Sequence, residues 1–282
     1  MVPQMKFTKM QGIGNDYIYV NTFDEAVENP ETLAIAMSRQ HFGVSSDGLV
    51  LIGPSLTADF AMRMFNADGS EAEMCGNAAR CIGKYVYERG LTKKAKLTLE
   101  TRGGPKTLNL QIDAGCVRQV TVDMGEPTLT PASIPVDLPG SSIRDFPLRV
   151  AGRIHRITCV NMGNPHAVVF VDDPDAVDVR TMGMQMENHA AFPQRTNVEF
   201  VHVARRDLLE LRVWERGSGE TLACGTGACA SVVAAVVNGL SERSVNVRLT
   251  GGELQITWDG ATNHVLQTGP AAFVFDGVWL GA

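Results

Sequence analysis

The chain has 282 residues, of which 44% are hydrophobic and 20% charged, and its formal net charge is −6. With no Lys/Arg block anywhere, that balance argues against nucleic acid or an anionic membrane as the main partner and for a small polar metabolite. The length predicts two domains of about 120 to 150 residues, each able to bury its own core.

The start, MVPQMKFTKMQGIGNDY, has no apolar segment followed by a small-residue cleavage site, and no stretch approaches the length of a membrane span. A cytoplasmic protein is expected. Apolar alternation from Met5 and again over 17–20 reads as two strands joined by a Gly-rich turn. A helix is predicted over 30–39, then strands over 49–52 and 60–65 and a turn over 66–70. The run 76–88, rich in Ala, Ile and Tyr, fits a helix ended by Gly90, and short strands follow over 96–101, 107–112 and 118–124. Residues 126–147 carry Pro127, Pro131, Pro135, Pro139 and Pro147, which suits a crossover between domains and puts a boundary near Gly125. A second helix over 225–237 ends at Gly239 and is almost wholly apolar, so burial on all sides is expected. Strands over 245–250, 253–258 and 264–267 follow, and 272–275 reads as a strand returning to the first domain. The expected division is therefore 1–124, 125–270 and a returning tail over 271–282.

The two halves are related. Met74-Cys75-Gly76-Asn77 and Ala223-Cys224-Gly225-Thr226 lie 149 positions apart, and Asn15 precedes Cys75 by the same 60 residues that separate Asn164 from Cys224. The same shift superposes Gly14 on Gly163, Arg63 on Arg212, Glu71 on Glu220, Ala79 on Ala228 and Gly90 on Gly239. An ungapped register concentrated on Gly, Asn and Cys indicates a duplicated domain with one such thiol per half. The exceptions are informative, since the shift pairs Asn66 with Glu215, Ala67 with Arg216 and Tyr17 with His166.

Both cysteines stand at a helix start, where unpaired amides and the positive end of the dipole stabilise an anion and are expected to lower a thiol pKa. The amides of Gly76 and Asn77, and of Gly225 and Thr226, suit a substrate carboxylate. Two thiols, one acting as base and the other as acid, would invert a carbon without pyridoxal phosphate, for which no lysine here has a recognisable setting. A single nucleophilic cysteine paired with His166, or a reversible Cys75–Cys224 disulfide in a redox sensor, remain the rival readings of these residues. Glu215 and Arg216, beside a set of asparagines, suit a zwitterionic ligand, one supplying a carboxylate and the other a guanidinium. Of the other cysteines, Cys81, Cys116, Cys159 and Cys229 read as small core hydrophobes. No CxxC or Cys/His spacing suggests a metal site, and none is expected.

At this point the chain resembles the diaminopimelate epimerase family over essentially its whole length. The motifs that carry the resemblance are Gly12-Ile13-Gly14-Asn15-Asp16, Phe65-Asn66-Ala67-Asp68-Gly69-Ser70, Met74-Cys75-Gly76-Asn77, Gly163-Asn164-Pro165-His166, Asn197-Val198-Glu199-Phe200, Trp214-Glu215-Arg216-Gly217 and Ala223-Cys224-Gly225-Thr226-Gly227. The resemblance implies an α+β fold of two pseudo-symmetric domains, each a β-barrel-like sheet around a central helix, with the active site in the interdomain cleft. It implies cofactor-independent interconversion of LL- and meso-diaminopimelate in lysine biosynthesis, with Cys75 and Cys224 as the acid/base pair. Gly76, Asn77, Gly225 and Thr226 would hold the reacting carboxylate. Asn15, Asn66, Asn164, Asn197, Glu215 and Arg216 would bind the substrate, and His166 with Glu215 would tune the cysteines. It further implies a homodimer with neither metal nor cofactor. One departure is Gly48, where some members use a Gln at the substrate; a proline or hydroxyproline racemase of similar fold is the nearest competitor.

Overall fold

The structure, a computed structural model, describes residues 4–281; residues 1–3, which open the segment read for a leader, and residue 282, which ends the returning tail, lie outside the described residues. The chain forms two compact units. One comprises the chain up to Val122 and from Gly269 onward, and the other Asp123–Thr268.

In the first unit, β1 (Met5–Gly12) and β2 (Asn15–Asn21) form an antiparallel hairpin. Its turn is Ile13-Gly14, with φ of 52° and 86°, a conformation that glycine adopts without strain. Helix α1 (Pro30–Ser38) follows, with its proline in the first turn, where the missing N–H costs nothing. Strand β3 (Gly48–Gly53) is buried at every position; it runs parallel to β2 and antiparallel to β4 (Phe60–Asn66), which also pairs with β5 (Glu71–Ala72). Helix α2 (Gly76–Glu88) then leads to β6 (Lys96–Glu100), parallel to β4, and to the meander of β7 (Lys106–Asp113) and β8 (Cys116–Asp123).

The second unit repeats this order. After β9 (Phe146–Val150) come β10 (Arg153–Asn161) and β11 (Pro165–Phe170), then α3 (Val179–Glu187). Strand β12 (Asn197–Arg205) is parallel to β11 and antiparallel to β13 (Leu208–Glu215), which pairs with β14 (Gly219–Thr221). Helix α4 (Gly225–Val237) precedes β15 (Ser244–Leu249), β16 (Gly252–Trp258) and β17 (Val265–Gly269). Strand β18 (Ala272–Trp279) belongs again to the first unit, where it pairs antiparallel with β1.

The duplication extends to register. Ile18 faces Leu49 as Ala167 faces Val198, and Leu49 faces Phe65 as Val198 faces Trp214. Arg63 donates Nε to Glu71 at 2.8 Å, and Arg212 does the same to Glu220 at 2.8 Å. Helices α2 and α4 span the ranges predicted from sequence and close with the same cap: Leu91 N donates to Val86 O and Leu240 N to Ala235 O, each at 2.9 Å, around Gly90 and Gly239 with φ of 76° and 74°. Each is the buried axis of its unit. In α4 every residue from Gly227 to Ala235 is buried, so its small side chains set how closely the surrounding strands approach.

Three expectations need correction. The proline-rich 126–147 segment is more than a connector, because Ile134, Val136 and Ile143 are buried in one core with Leu148 and Phe192, and β9 begins inside it at Phe146. Prolines break its periodicity without removing its apolar residues. Helix α3 has no counterpart in the sequence reading, since Gly183 and scattered polar residues weaken its pattern. A Cβ at 183 would lie 2.4 Å from the Trp214 ring, so the glycine permits the helix to dock there. Cys116 is exposed, not core, because it opens β8 directly after the Ala114-Gly115 turn; Cys81, Cys159 and Cys229 are buried. Among the described residues no helix is long and apolar enough to cross a membrane.

Candidate active site

In the first unit the residues gather at the start of α2. Cys75 is its N-cap, in extended conformation with φ −136° and ψ 124°, and its side chain makes no capping hydrogen bond to the first turn. Asn15, at the start of β2, is the hub of this group: its Oδ1 accepts from Asn77 Nδ2 at 3.1 Å and from Cys75 Sγ at 3.5 Å, and its Nδ2 donates to Asp47 Oδ2 at 2.6 Å. Asp47 also accepts from Asp16 N at 3.0 Å. Burial pushes the Asp47 carboxyl up from its ordinary value, against the lowering by those two hydrogen bonds. Asn77 is buried, and its Oδ1 has no hydrogen-bond partner among the described residues. Asn66 sits at the end of β4 opposite Gly48 and donates Nδ2 to Ser70 Oγ at 3.0 Å. At Gly48 a Cβ would lie 2.0 Å from Phe65 O, so the backbone here leaves no room for a side chain.

The second unit's group is more strongly charged. Cys224 is the N-cap of α4, with φ −119° and ψ 113°; its Sγ accepts from Gly227 N at 3.4 Å and lies 3.5 Å from Thr226 Oγ1. Glu215, ending β13, accepts from Thr221 Oγ1 at 2.5 Å. His166, unexposed on β11, has Nε2 2.9 Å from Asn164 Oδ1 and Nδ1 2.7 Å from Glu199 Oε1. Asn197, its neighbour across the parallel ladder, donates Nδ2 to Pro165 O at 2.8 Å and accepts from Arg216 N at 2.9 Å. The Arg216 side chain donates Nη1 to Gln194 O at 3.1 Å. A Cβ at Gly225 would lie 2.5 Å from Gln267 Nε2, which is why the helix starts on a glycine.

The expected lowering of the thiol pKa at the helix start is overturned at Cys224. Burial, and then the charges of Glu215 and Glu199, push this thiol well above its ordinary value, outweighing the hydrogen bonds from Thr226 and Gly227. The helix end supplies a partial charge only, whereas withdrawal from water beside two carboxylates disfavours the thiolate outright. Burial also raises the Glu215 carboxyl, opposed by hydrogen bonds from Thr221 and Cys224. The Glu215 carboxyl and the buried Cys224 thiol are thus hydrogen-bond partners.

Each unit therefore assembles its own share of the residues singled out from the sequence: Asn15, Cys75, Gly76 and Asn77, with Asn66 two strands from Asn15, and Asn164, His166, Asn197, Glu215, Arg216, Cys224, Gly225 and Thr226. Three residues of these groups were not singled out. Asp47 and Thr221 carry no motif signal of their own, and Glu199 lies in an apolar strand, where a lone acid is the one available sign. Among the described residues no three His, Cys, Asp or Glu side chains converge as metal ligands.

A family model described as diaminopimelate epimerase matches residues 7–130 and 158–274. The chain is 56% identical over 273 residues to the diaminopimelate epimerase of Acetivibrio thermocellus, covering 97% of this chain and 98% of that one. It is 50% identical over 273 residues to that of Methanococcus maripaludis, covering 97% and 99%. Among solved structures it resembles a hydroxyproline epimerase from Agrobacterium vitis, with a TM-score of 0.74, 15% identity and coverage of 98% and 92%. It also resembles a methylitaconate-delta-isomerase, with a TM-score of 0.67, 15% identity and coverage of 98% and 95%. At such identities the structural likeness shows a shared α+β fold and nothing of the substrate. The family match and the close relatives over nearly full length show more: the chain belongs to the diaminopimelate epimerase family.

Proposed function

We propose that this protein interconverts LL- and meso-diaminopimelate by a two-cysteine acid/base mechanism that uses no metal or organic cofactor, as a cytoplasmic homodimer. The observation that carries the reading is that each unit has a cysteine as the N-cap of its central helix, in a chain of this family.

One sulfur, as thiolate, takes the α-proton: the C–H bond breaks, an S–H bond forms, and the electron pair left on the carbon spreads into the α-carboxylate. The other sulfur, as thiol, delivers its proton to the opposite face of the same carbon and becomes the thiolate. Amides of Gly76, Asn77, Gly225 and Thr226 hold the carboxylate and stabilise the charge that develops on it. The raised thiol pKa at Cys224 supports its entering as the proton donor, and Glu215 is suited to exchange protons with it between turnovers. Asn15, Asn66, Asn164, Asn197 and Arg216 bind the polar groups of the substrate, the guanidinium pairing with a carboxylate. His166 helps to set the protonation of Cys224.

Incubation of the reduced protein with LL-diaminopimelate in deuterium oxide should yield the meso isomer carrying solvent deuterium at one α-carbon. If the active-site thiols titrate as reduced and neither exchange nor inversion occurs, the reading fails. A parallel panel with proline and hydroxyproline separates it from the racemases that share the fold.

A further inference from the structure

Glu199 has no part in the mechanism above, yet it lies at its centre in the second unit. Its side chain has no exposed surface, Oε1 is 2.7 Å from His166 Nδ1, and Oε2 has no hydrogen-bond partner among the described residues. A fully buried polar atom without a partner destabilises a fold, so stability alone would favour an apolar residue. The first unit shows that alternative: under the 149-residue shift the positions of Glu199 and His166 are filled by Val50 and Tyr17, both buried, in the same strand register. The same strand framework therefore closes without an acid or an imidazole at these positions.

The start of α4 is shaped around this carboxylate. A Cβ at Gly227 would lie 2.8 Å from Glu199 Oε1 and 3.3 Å from Cys224 Sγ, so acid and sulfur border the same small space at the helix's first turn. With Nε2 donating to Asn164 Oδ1, the His166 ring and Glu199 share one proton across their contact. The titratable groups facing Cys224 are Glu215 from β13, Glu199 from β12 and, behind Glu199, His166 from β11; Thr226 Oγ1 supplies the neutral contact at 3.5 Å.

We propose that Glu199 is a positioning residue of this site: it holds the His166 ring against Asn164 and, with the shared proton drawn toward His166, turns the negative end of the pair to Cys224, so that this sulfur enters the reaction bearing its proton. The role in turnover rests on the epimerase reading, but the proton on Cys224 is measurable without turnover. Both carboxylates push the Cys224 thiol up, after burial itself; an amide in place of the nearer, anionic end of the pair, with the imidazole behind it then neutral, moves that titration down, by about one pH unit where the groups are shielded from water.

The test is alkylation of Cys224 by iodoacetamide as a function of pH, read by peptide mass spectrometry so that Cys75 is scored separately, in the wild type and in Glu199→Gln. The variant keeps the shape of the side chain. Its Cys224 labelling midpoint should fall by about one unit, which is about tenfold faster labelling at a fixed pH below the midpoint. A variant with a native melting transition and an unmoved midpoint overturns the proposal. Should Glu199→Gln not fold, the wild type labelled with nitrogen-15 histidine decides: a far-downfield proton coupled to His166 Nδ1 is expected, and its absence overturns the shared proton. A shifted midpoint in a protein that fails to epimerise diaminopimelate would leave the electrostatic role of Glu199 standing and remove the functional reading alone.

Discussion

Trp214 Nε1 donates to Glu187 Oε2 at 2.7 Å, joining α3 to the strand that carries Glu215. The other oxygen of Glu187 accepts from Gly217 N at 2.9 Å and from Arg195 Nη1 at 3.1 Å, so one buried carboxylate clamps both sides of the turn that presents Arg216. Glu187→Ala leaves the Trp214 and Gly217 donors without partners and should cost about 1–3 kcal/mol in urea unfolding for each donor that stays buried. Its kinetic signature should be a KM for diaminopimelate raised about tenfold with a smaller change in kcat, since about 1.4 kcal/mol of lost positioning at Arg216 is tenfold in affinity. An equal fall in kcat with KM unmoved would show that the turn serves chemistry and not binding.

Replacing either thiol separates acid/base chemistry from regulation. Cys75→Ala and Cys224→Ala should each lower kcat by about 10² to 10⁴-fold or more under reducing conditions, the usual worth of a positioned acid or base. Steady-state assays in both directions, with excess dithiothreitol, check this. A variant that stays active when reduced would make its cysteine regulatory.

The two long helices were legible in the sequence because their signals are local: an apolar run, a glycine in left-handed conformation at the end and a cysteine in a repeated frame. What escaped depends on tertiary contact. Helix α3 is held by Trp214 against Gly183, a contact between residues 31 positions apart that no periodicity announces. Cys116 carries the same side chain as the buried Cys159, and only the hairpin turn before it turns it to solvent. At the site, Cys75, Cys224 and their asparagines were legible through the repeat, whereas the protonation of Cys224 was misread, since a helix start is visible in sequence and two carboxylates converging from β12 and β13 are not. Glu199 escaped for the same reason: its partner is across a parallel ladder, 33 residues away in sequence.

Gly227→Ala sets two effects against each other. In an ordinary helix interior the change gains about 1 kcal/mol. Here the added methyl would meet Glu199 Oε1 at 2.8 Å and Cys224 Sγ at 3.3 Å, at a buried glycine, and overpacking of that kind costs about 1–3 kcal/mol. The expected result is a net loss of stability together with a fall in kcat, as the carboxylate and sulfur are forced apart. Thermal unfolding and steady-state kinetics on the same preparation check both; a variant more stable than wild type with unchanged kcat would show that the space is slack.

The buried Cys81 gives the fold an alkaline limit. Burial raises its thiol from 9.0 to about 11, more than hydrogen bonding with Tyr19 and the nearby Arg80 charge lower it. Because the folded protein holds this proton more tightly than the unfolded chain, the stabilisation is fully present below pH 9.0 and is lost as the pH rises through about 11. Within that window the unfolded state has released the proton and the folded state has not, so each pH unit removes about 1.4 kcal/mol, up to about 2–3 kcal/mol in all. Tyr19, also raised by burial, adds to the slope in the same direction. Cys81→Ala should therefore start less stable at pH 7, having lost a buried side chain, yet decline less steeply between pH 9 and 11. Urea unfolding of both proteins across that range measures the difference, and parallel declines would show that the thiol keeps an ordinary affinity for its proton despite its burial.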